Sequence, residues 1–269
     1  MDMSRFLPVA DEKPLDRIVD DGGYTAIFRT IACVGDSLAS GEMESQNEDG
    51  VKGFHDMYEY SWGQYMARAA GTKVYNFSRG GMTAIEYLDS FAEKKGFWSP
   101  ALAAQAYIVA LGVNDKARIE KYPDGWGSIE DVADDYRENK KSFYGCYATI
   151  IQRYQEIQPQ AKFFLVTRPN NPDYRESALE HAVAMREIAE RLDNCFVIDL
   201  FEYSAVTDAE FRQFFNLGGH MNAMGYFFAS KVIMSYIDYI IRHNHKEFLQ
   251  VPFIGTGLKN VTNYPYKKE

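Results

Sequence analysis

The chain has 269 residues, 46% of them hydrophobic and 25% charged, a globular composition that excludes a chain too polar to offset its ordering entropy. With 29 Lys and Arg against 38 Asp and Glu the net charge is −9, so nucleic acid and anionic membrane surfaces are poor partners. No apolar run approaches the ~18 residues that span a bilayer, and Met1-Asp2-Met3-Ser4-Arg5-Phe6-Leu7-Pro8 carries no apolar signal core.

Cys33, Cys146 and Cys195 lack CxxC spacing and are odd in number, so buried thiols are expected rather than disulfides or a zinc site. The expectation is a cytoplasmic protein. The 19 Tyr and 18 Phe imply either a large core or an aromatic-lined pocket.

In chain order, short β-rich apolar runs alternate with helical periodicity. The runs are Thr30–Val34, Lys73–Phe77, Ala106–Leu111, Lys162–Thr167 and Cys195–Leu200. Several are apolar almost throughout, as in parallel strands covered on both faces. Between them, the spacing predicts a helix from Ser61 to Ala70 closed by Gly71. A second carries the stripe Phe143, Cys146, Tyr147, Ile150, Ile151, Tyr154 and Ile157 and stops at Pro159. A third carries Leu179, Ala182, Val183, Met185, Ala189 and Leu192, with His181 in the same region. Residues 222–242 read as a largely buried final helix.

The stretches Ala39 to Tyr60 and Lys116 to Gly127 show no strand or helix pattern and follow strands on the expected active edge. His55 falls in the first of them, on the expected surface. One domain is expected over residues 1–269, with an extension 1–27 and a tail 243–269. That tail, with His243, His245, Pro252 and Pro265, should wrap the body or a partner subunit, and self-association is a possibility its aromatics raise.

Polar and Gly-rich elements close the runs. The first ends in Gly35-Asp36-Ser37-Leu38, where a serine hydroxyl is exposed beside backbone N–H groups; an N-cap serine in a turn is the competing account. The second leads to Asn76-Phe77-Ser78-Arg79-Gly80-Gly81, and the third to Gly112-Val113-Asn114-Asp115. After the fifth come Leu217-Gly218-Gly219-His220, the histidine being the usual general base at neutral pH. Taken singly, each has a structural account. Adjacent strands lie ~4.8 Å apart, so together they can meet around one substrate atom. Arg79, Lys116 and Arg168 sit near the same strand ends, where they pair with acids or attract an anionic group.

On these blocks the chain resembles the SGNH hydrolases, the GDSL esterase/lipase superfamily. They are Gly-Asp-Ser-Leu at 35–38, Gly81 five residues after Asn76, Gly-x-Asn-Asp at 112–115, and His220, within a core of about 28–242. The resemblance implies a three-layer α/β/α, flavodoxin-like fold with a five-stranded parallel sheet in the order 2-1-3-4-5, and no metal or organic cofactor. It implies Ser37 as nucleophile, His220 as base, and an oxyanion hole from the N–H groups of Ser37 and Gly81 and the side chain of Asn114.

One position departs from the pattern. Where the superfamily usually has an Asp three residues before the histidine, this chain has Leu217. The backbone carbonyl near Leu217 in a Ser–His dyad is the preferred orienter; Asp208, Asp199 and Asn216 are the alternatives. The activity expected is hydrolysis of short-acyl, acetyl-type carboxylic esters of a small metabolite or sugar. The other readings are a binding protein that keeps the fold, motivated by the missing acid, and a nucleotide binder, for which no Walker A or GxGxxG motif is present.

Overall fold

The computed structural model describes residues 3–261, so Pro265 and the rest of the tail beyond residue 261 lie outside the described residues. Its strands are β1 (Thr30–Gly35), β2 (Glu42–Gln46), β3 (Lys52–Asp56), β4 (Lys73–Ser78), β5 (Ala106–Ala110), β6 (Lys162–Val166), β7 (Cys195–Ile198), β8 (Asn216–Leu217) and β9 (His220–Met221). The five apolar runs form one parallel sheet in the order β4-β1-β5-β6-β7, the expected 2-1-3-4-5.

Alternation along each strand sorts the core into two layers. Ala32, Val34, Tyr107, Val109, Phe163 and Leu165 face one way, against the helices Phe143–Ile157 and Arg175–Arg191. Ile31, Cys33, Ala106, Ile108, Phe164 and Val166 face the other, against the helices Trp62–Ala70 and Ala223–His243. Much of the aromatic content is core: Tyr107 stacks on Phe163 and Tyr154, with ring centroids 5.1 and 4.3 Å apart.

The helix ends follow local chemistry. Ser61 accepts from the Gln64 N–H, and Gly71 closes that helix at φ +64°. Ser142 and Asn222 cap the helices Phe143–Ile157 and Ala223–His243 in the same way.

Several expectations need correction. Leu111, Thr167 and Leu200 lie just past the strands rather than ending them. In the helix Arg175–Arg191 the buried stripe is Ala178, His181, Ala182, Met185 and Ile188; Leu179 and Val183 are exposed. The small Ala178 and Ala182 are what pack beside Phe201. Residues 222–242 are not the last helix, because His245–Phe248 follows and buries Phe248, Val251 and Ile254 against the body. His243 is the half-buried last residue of its helix, stacked on Tyr239. Cys195 is only partly covered, unlike Cys33 and Cys146.

The largest correction concerns Ala39 to Tyr60, which holds the antiparallel hairpin β2–β3. Its turn contains Asp49-Gly50, a dipeptide suited to hairpin turns, with Gly50 at φ +81°. In the second long stretch, short helices span Val113–Ala117 and Ile119–Lys121. Among the described residues, no helix is long and apolar enough to cross a membrane.

His181 ties the strand ends together. Its Nε2–H donates to the Leu111 carbonyl at 2.8 Å, and its Nδ1 accepts from the Arg168 N–H at 3.3 Å. Gly112 passes beneath it at φ +129°, where a Cβ would lie 2.1 Å from Nε2. Gly112→Ala should therefore cost about 3 kcal/mol in urea unfolding; a change below about 1 kcal/mol would mean the ring yields freely.

Candidate active site

The sheet order places the ends of β4, β1 and β5 side by side, with Gly35 in register with Ser78 and Ala110. Asp36 caps the short helix Ser37–Ser40, its carboxylate accepting from the Leu38 N–H at 3.1 Å. The cap is thus Asp36, not Ser37, which removes the structural account considered for the serine. Ser37 Oγ makes no hydrogen bond among the described residues, and the backbone N–H groups of Ser37 and Gly81 have no backbone partner there.

Asn114 lies beside them. Its Nδ2 donates to Asp36 Oδ2 at 3.3 Å, leaving one amide hydrogen uncommitted. Asp115 accepts from the Ala84 N–H at 2.6 Å and from Tyr122, which pins the Gly81 segment to the Asn114 segment. The guanidinium of Arg118 donates to the Gly81 carbonyl at 2.5 Å and fixes that turn at φ +69°. The strand-end groups named from sequence are therefore brought together.

His220 arrives on β9. It pairs with Leu217 across a two-residue turn, Gly218-Gly219, with Gly218 at φ +69°. The ring meets neither a Leu217 carbonyl nor any of the alternative orienters. Asp208 caps the helix Ala209–Phe215 by accepting from Phe211 N–H at 2.9 Å. Asp199 is held 2.6 Å from Arg186, and Asn216 pairs with Met221 in the β8–β9 ladder.

His220 Nδ1 lies 3.0 Å from Glu44 Oε1 instead. The same oxygen accepts from the Gly219 N–H at 2.6 Å, and Lys52 Nζ is 3.4 Å from Oε2. Burial would raise the Glu44 carboxyl, but the bonds from His220, Gly219 and Lys52 outweigh it and hold the group below the usual carboxylate range. A Cβ at Gly218 or Gly219 would sit 2.2 or 2.6 Å from the Glu44 carboxylate, so the paired glycines admit it. Sequence reasoning missed Glu44 because it lies in the stretch read as structureless; the Asp49-Gly50 turn was the available signal.

A second glutamate of the same strand face, Glu42, places Oε1 3.1 Å from His220 Nε2, with burial raising its pKa. Its other oxygen rests over Gly80, where a Cβ would be 1.9 Å away. His55 is on the outer surface of the hairpin, bonded to Ser45 at 2.8 Å.

Beside these groups opens a cavity of about 490 Å³. Its walls are mostly apolar, including Leu38, Leu111, Val113, Phe211 and Ile233, and Asp36, Arg168 and Gly219 also reach it. It collects the strand-end residues Leu111, Thr167 and Leu200 that fall outside the ladder.

A doubly wound α/β/α sheet with this serine and amide at neighbouring strand ends, and a histidine brought in on β9, has the plan of an SGNH-type fold. The chain belongs to the GDSL-like Lipase/Acylhydrolase family, which residues 33–227 match. No curated protein matches it. Among solved structures, it is similar to a family 2 carbohydrate esterase with a carbohydrate-binding domain from Corynascus thermopiles (Myceliophthora fergusii), at 17% identity over 78% of this chain and 65% of that one, TM-score 0.52. A family two carbohydrate esterase from Clostridium thermocellum, in complex with cellohexaose, matches at 13% identity over 89% of this chain and 67% of that one, TM-score 0.54. Est24, a carbohydrate acetylesterase from Sinorhizobium meliloti, matches at 15% identity over 78% of this chain and 98% of its own, TM-score 0.52. At these identities what is shared is the fold.

Two buried groups at the site oppose each other in pH dependence. Burial lowers His181 from its ordinary 6.5 to about 4, so the unfolded chain takes up its proton first and stability falls as pH drops through that window. Burial raises Asp36 from 3.8 to about 7, which acts in the opposite sense between those values. Each amounts to about 3–4 kcal/mol, so the wild-type profile from pH 7 to 4 should be shallow. The stability lost in His181→Gln should then shrink by about 3 kcal/mol between pH 7 and pH 4 in urea titrations. An offset independent of pH would show that the histidine titrates normally.

Proposed function

We propose that the protein is a serine esterase that uses Ser37, His220 and Glu44 as its triad. The observation that carries this is the Glu44 carboxylate on His220 Nδ1, because a charged acceptor there fixes the tautomer and stabilises the imidazolium. It supersedes the dyad expected from sequence.

Ser37 Oγ attacks the ester carbonyl while His220 Nε2 takes its proton. The oxyanion is received by the N–H groups of Ser37 and Gly81 and by the uncommitted amide hydrogen of Asn114. His220 then protonates the leaving alcohol, leaving an acyl-Ser37. Water adds with the same base and releases the acid, restoring the hydroxyl. Glu42 holds Nε2 in the present arrangement, so its carboxylate moves aside when substrate enters.

The proposed substrate is a short-acyl, acetyl-type ester of a small metabolite or sugar. The names of the carbohydrate esterases of like fold support this reading, as does a cavity sized for a small alcohol portion. The contact of Glu42 with Nε2 favours a second reading, a binding protein whose serine is never activated. A fluorophosphonate distinguishes the two, since only the esterase labels at Ser37.

On 4-nitrophenyl acetate, Ser37→Ala should remove essentially all turnover, and Asn114→Ala should lower kcat by about 10²–10³. Equal rates for wild type and Ser37→Ala would overturn the assignment. Glu44→Gln should lower kcat by as much as about 10⁴, the scale seen for a serine protease acid. Glu42→Gln should cost far less, because only its departure is needed. If the two losses were reversed, Glu42 and not Glu44 would be the catalytic carboxylate.

A further inference from the structure

Four basic side chains stand near the strand ends around Ser37; two are neutralised by acids within the protein, and a third, Arg118, donates to the Gly81 carbonyl. Arg79 lies 2.6 Å from Glu86, and Lys116 is paired with Glu180. Arg168, two residues past β6, is not. Its guanidinium donates to Ser177 Oγ at 3.1 Å, and no carboxylate lies within ion-pair reach of it among the described residues.

Its backbone cannot retreat, because the Arg168 N–H is bound to the buried His181 ring. Asp36 acts on it through space without an ion-pair contact, and both carboxyls that line the same cavity are committed elsewhere. Asp36 accepts from Leu38 and Asn114, and Asp173 is 3.1 Å from Arg212. The head group is half-buried in the wall of the apolar cavity that also reaches Asp36. Burial pulls its pKa below the ordinary arginine value without neutralising it.

A desolvated charge without an ion-pair partner is costly, and an arginine fork matches the two oxygens of a carboxylate or phosphate. We propose that Arg168 is the anion-recognition residue of this cavity, so that the ester cleaved at Ser37 carries a carboxylate or phosphate on its alcohol portion. The assignment to the alcohol portion rests on the short-acyl reading above, which leaves the larger cavity to the alcohol.

The test compares acetate release from 4-acetoxybenzoate, 4-acetoxyphenyl phosphate and the neutral methyl 4-acetoxybenzoate, each corrected for its rate of alkaline hydrolysis. A charge-assisted contact should favour one anionic ester over the neutral one by about 10- to 100-fold in kcat/KM. Whether the benzoate or the phosphate is preferred identifies the anion. Arg168→Gln should bring that ratio close to one and Arg168→Lys should retain part of it, with melting temperatures confirming that both variants fold. No preference in the wild type, or an unchanged ratio in Arg168→Gln, would overturn the proposal.

If none of the three esters is cleaved, the esterase reading fails by itself. Calorimetric binding of 4-hydroxybenzoate and 4-hydroxyphenyl phosphate then decides the anion site. Binding lost in Arg168→Gln supports it, and no binding to the wild type overturns it.

Discussion

The site depends on one carboxylate. Glu44 Oε1 is shared by the His220 ring and the Gly219 N–H, so a single side chain fixes both the orientation of the imidazole and the path of the turn that carries it. The β8–β9 ladder has only two residue pairs and cannot by itself define a ring position. The hairpin β2–β3 is likewise outside the main sheet. Their mutual contact through a charge-assisted hydrogen bond adds to the packing of Met43 and Met221 against the core.

The rest of the site is held by the main sheet. Parallel strands covered by helices on both faces leave their carboxyl ends as the open edge, and the order β4-β1-β5 puts three of those ends together. Asp36 links two of them, capping the helix after β1 and orienting Asn114 after β5. Asp115 and Arg118 brace the Gly81 turn from the third side. The result is a rigid set of donors against which a histidine is placed from a separate, smaller unit.

The sequence made the sheet and this donor set legible for a physical reason. Several strands are nearly continuous apolar runs, and β1, β4 and β5 give way at once to Gly, Ser or Leu-Gly, so period and punctuation agree there. Glu44 was not legible because it belongs to a short exposed hairpin with little apolar alternation to mark it. Its partner is also 176 positions away, a distance over which one sequence offers no pairing information. The stripe of the helix Arg175–Arg191 was misread by about one position for a related reason. Its buried face is made of alanines and a histidine, while the bulkier Leu179 and Val183 point outward.

The hairpin also makes the site unusually sensitive to spacing. Glu42 and Glu44 share a face of β2, and Met43 between them points the other way. Gly41, at φ +78°, sets where that alternation begins. Deleting or inserting a single residue between Ser37 and Glu44 would present Met43 to the imidazole and turn both glutamates away. Changes to the turn at 47–51 would leave that facing intact. Length variation in this lineage should therefore be tolerated at the tip of the hairpin and excluded from its base.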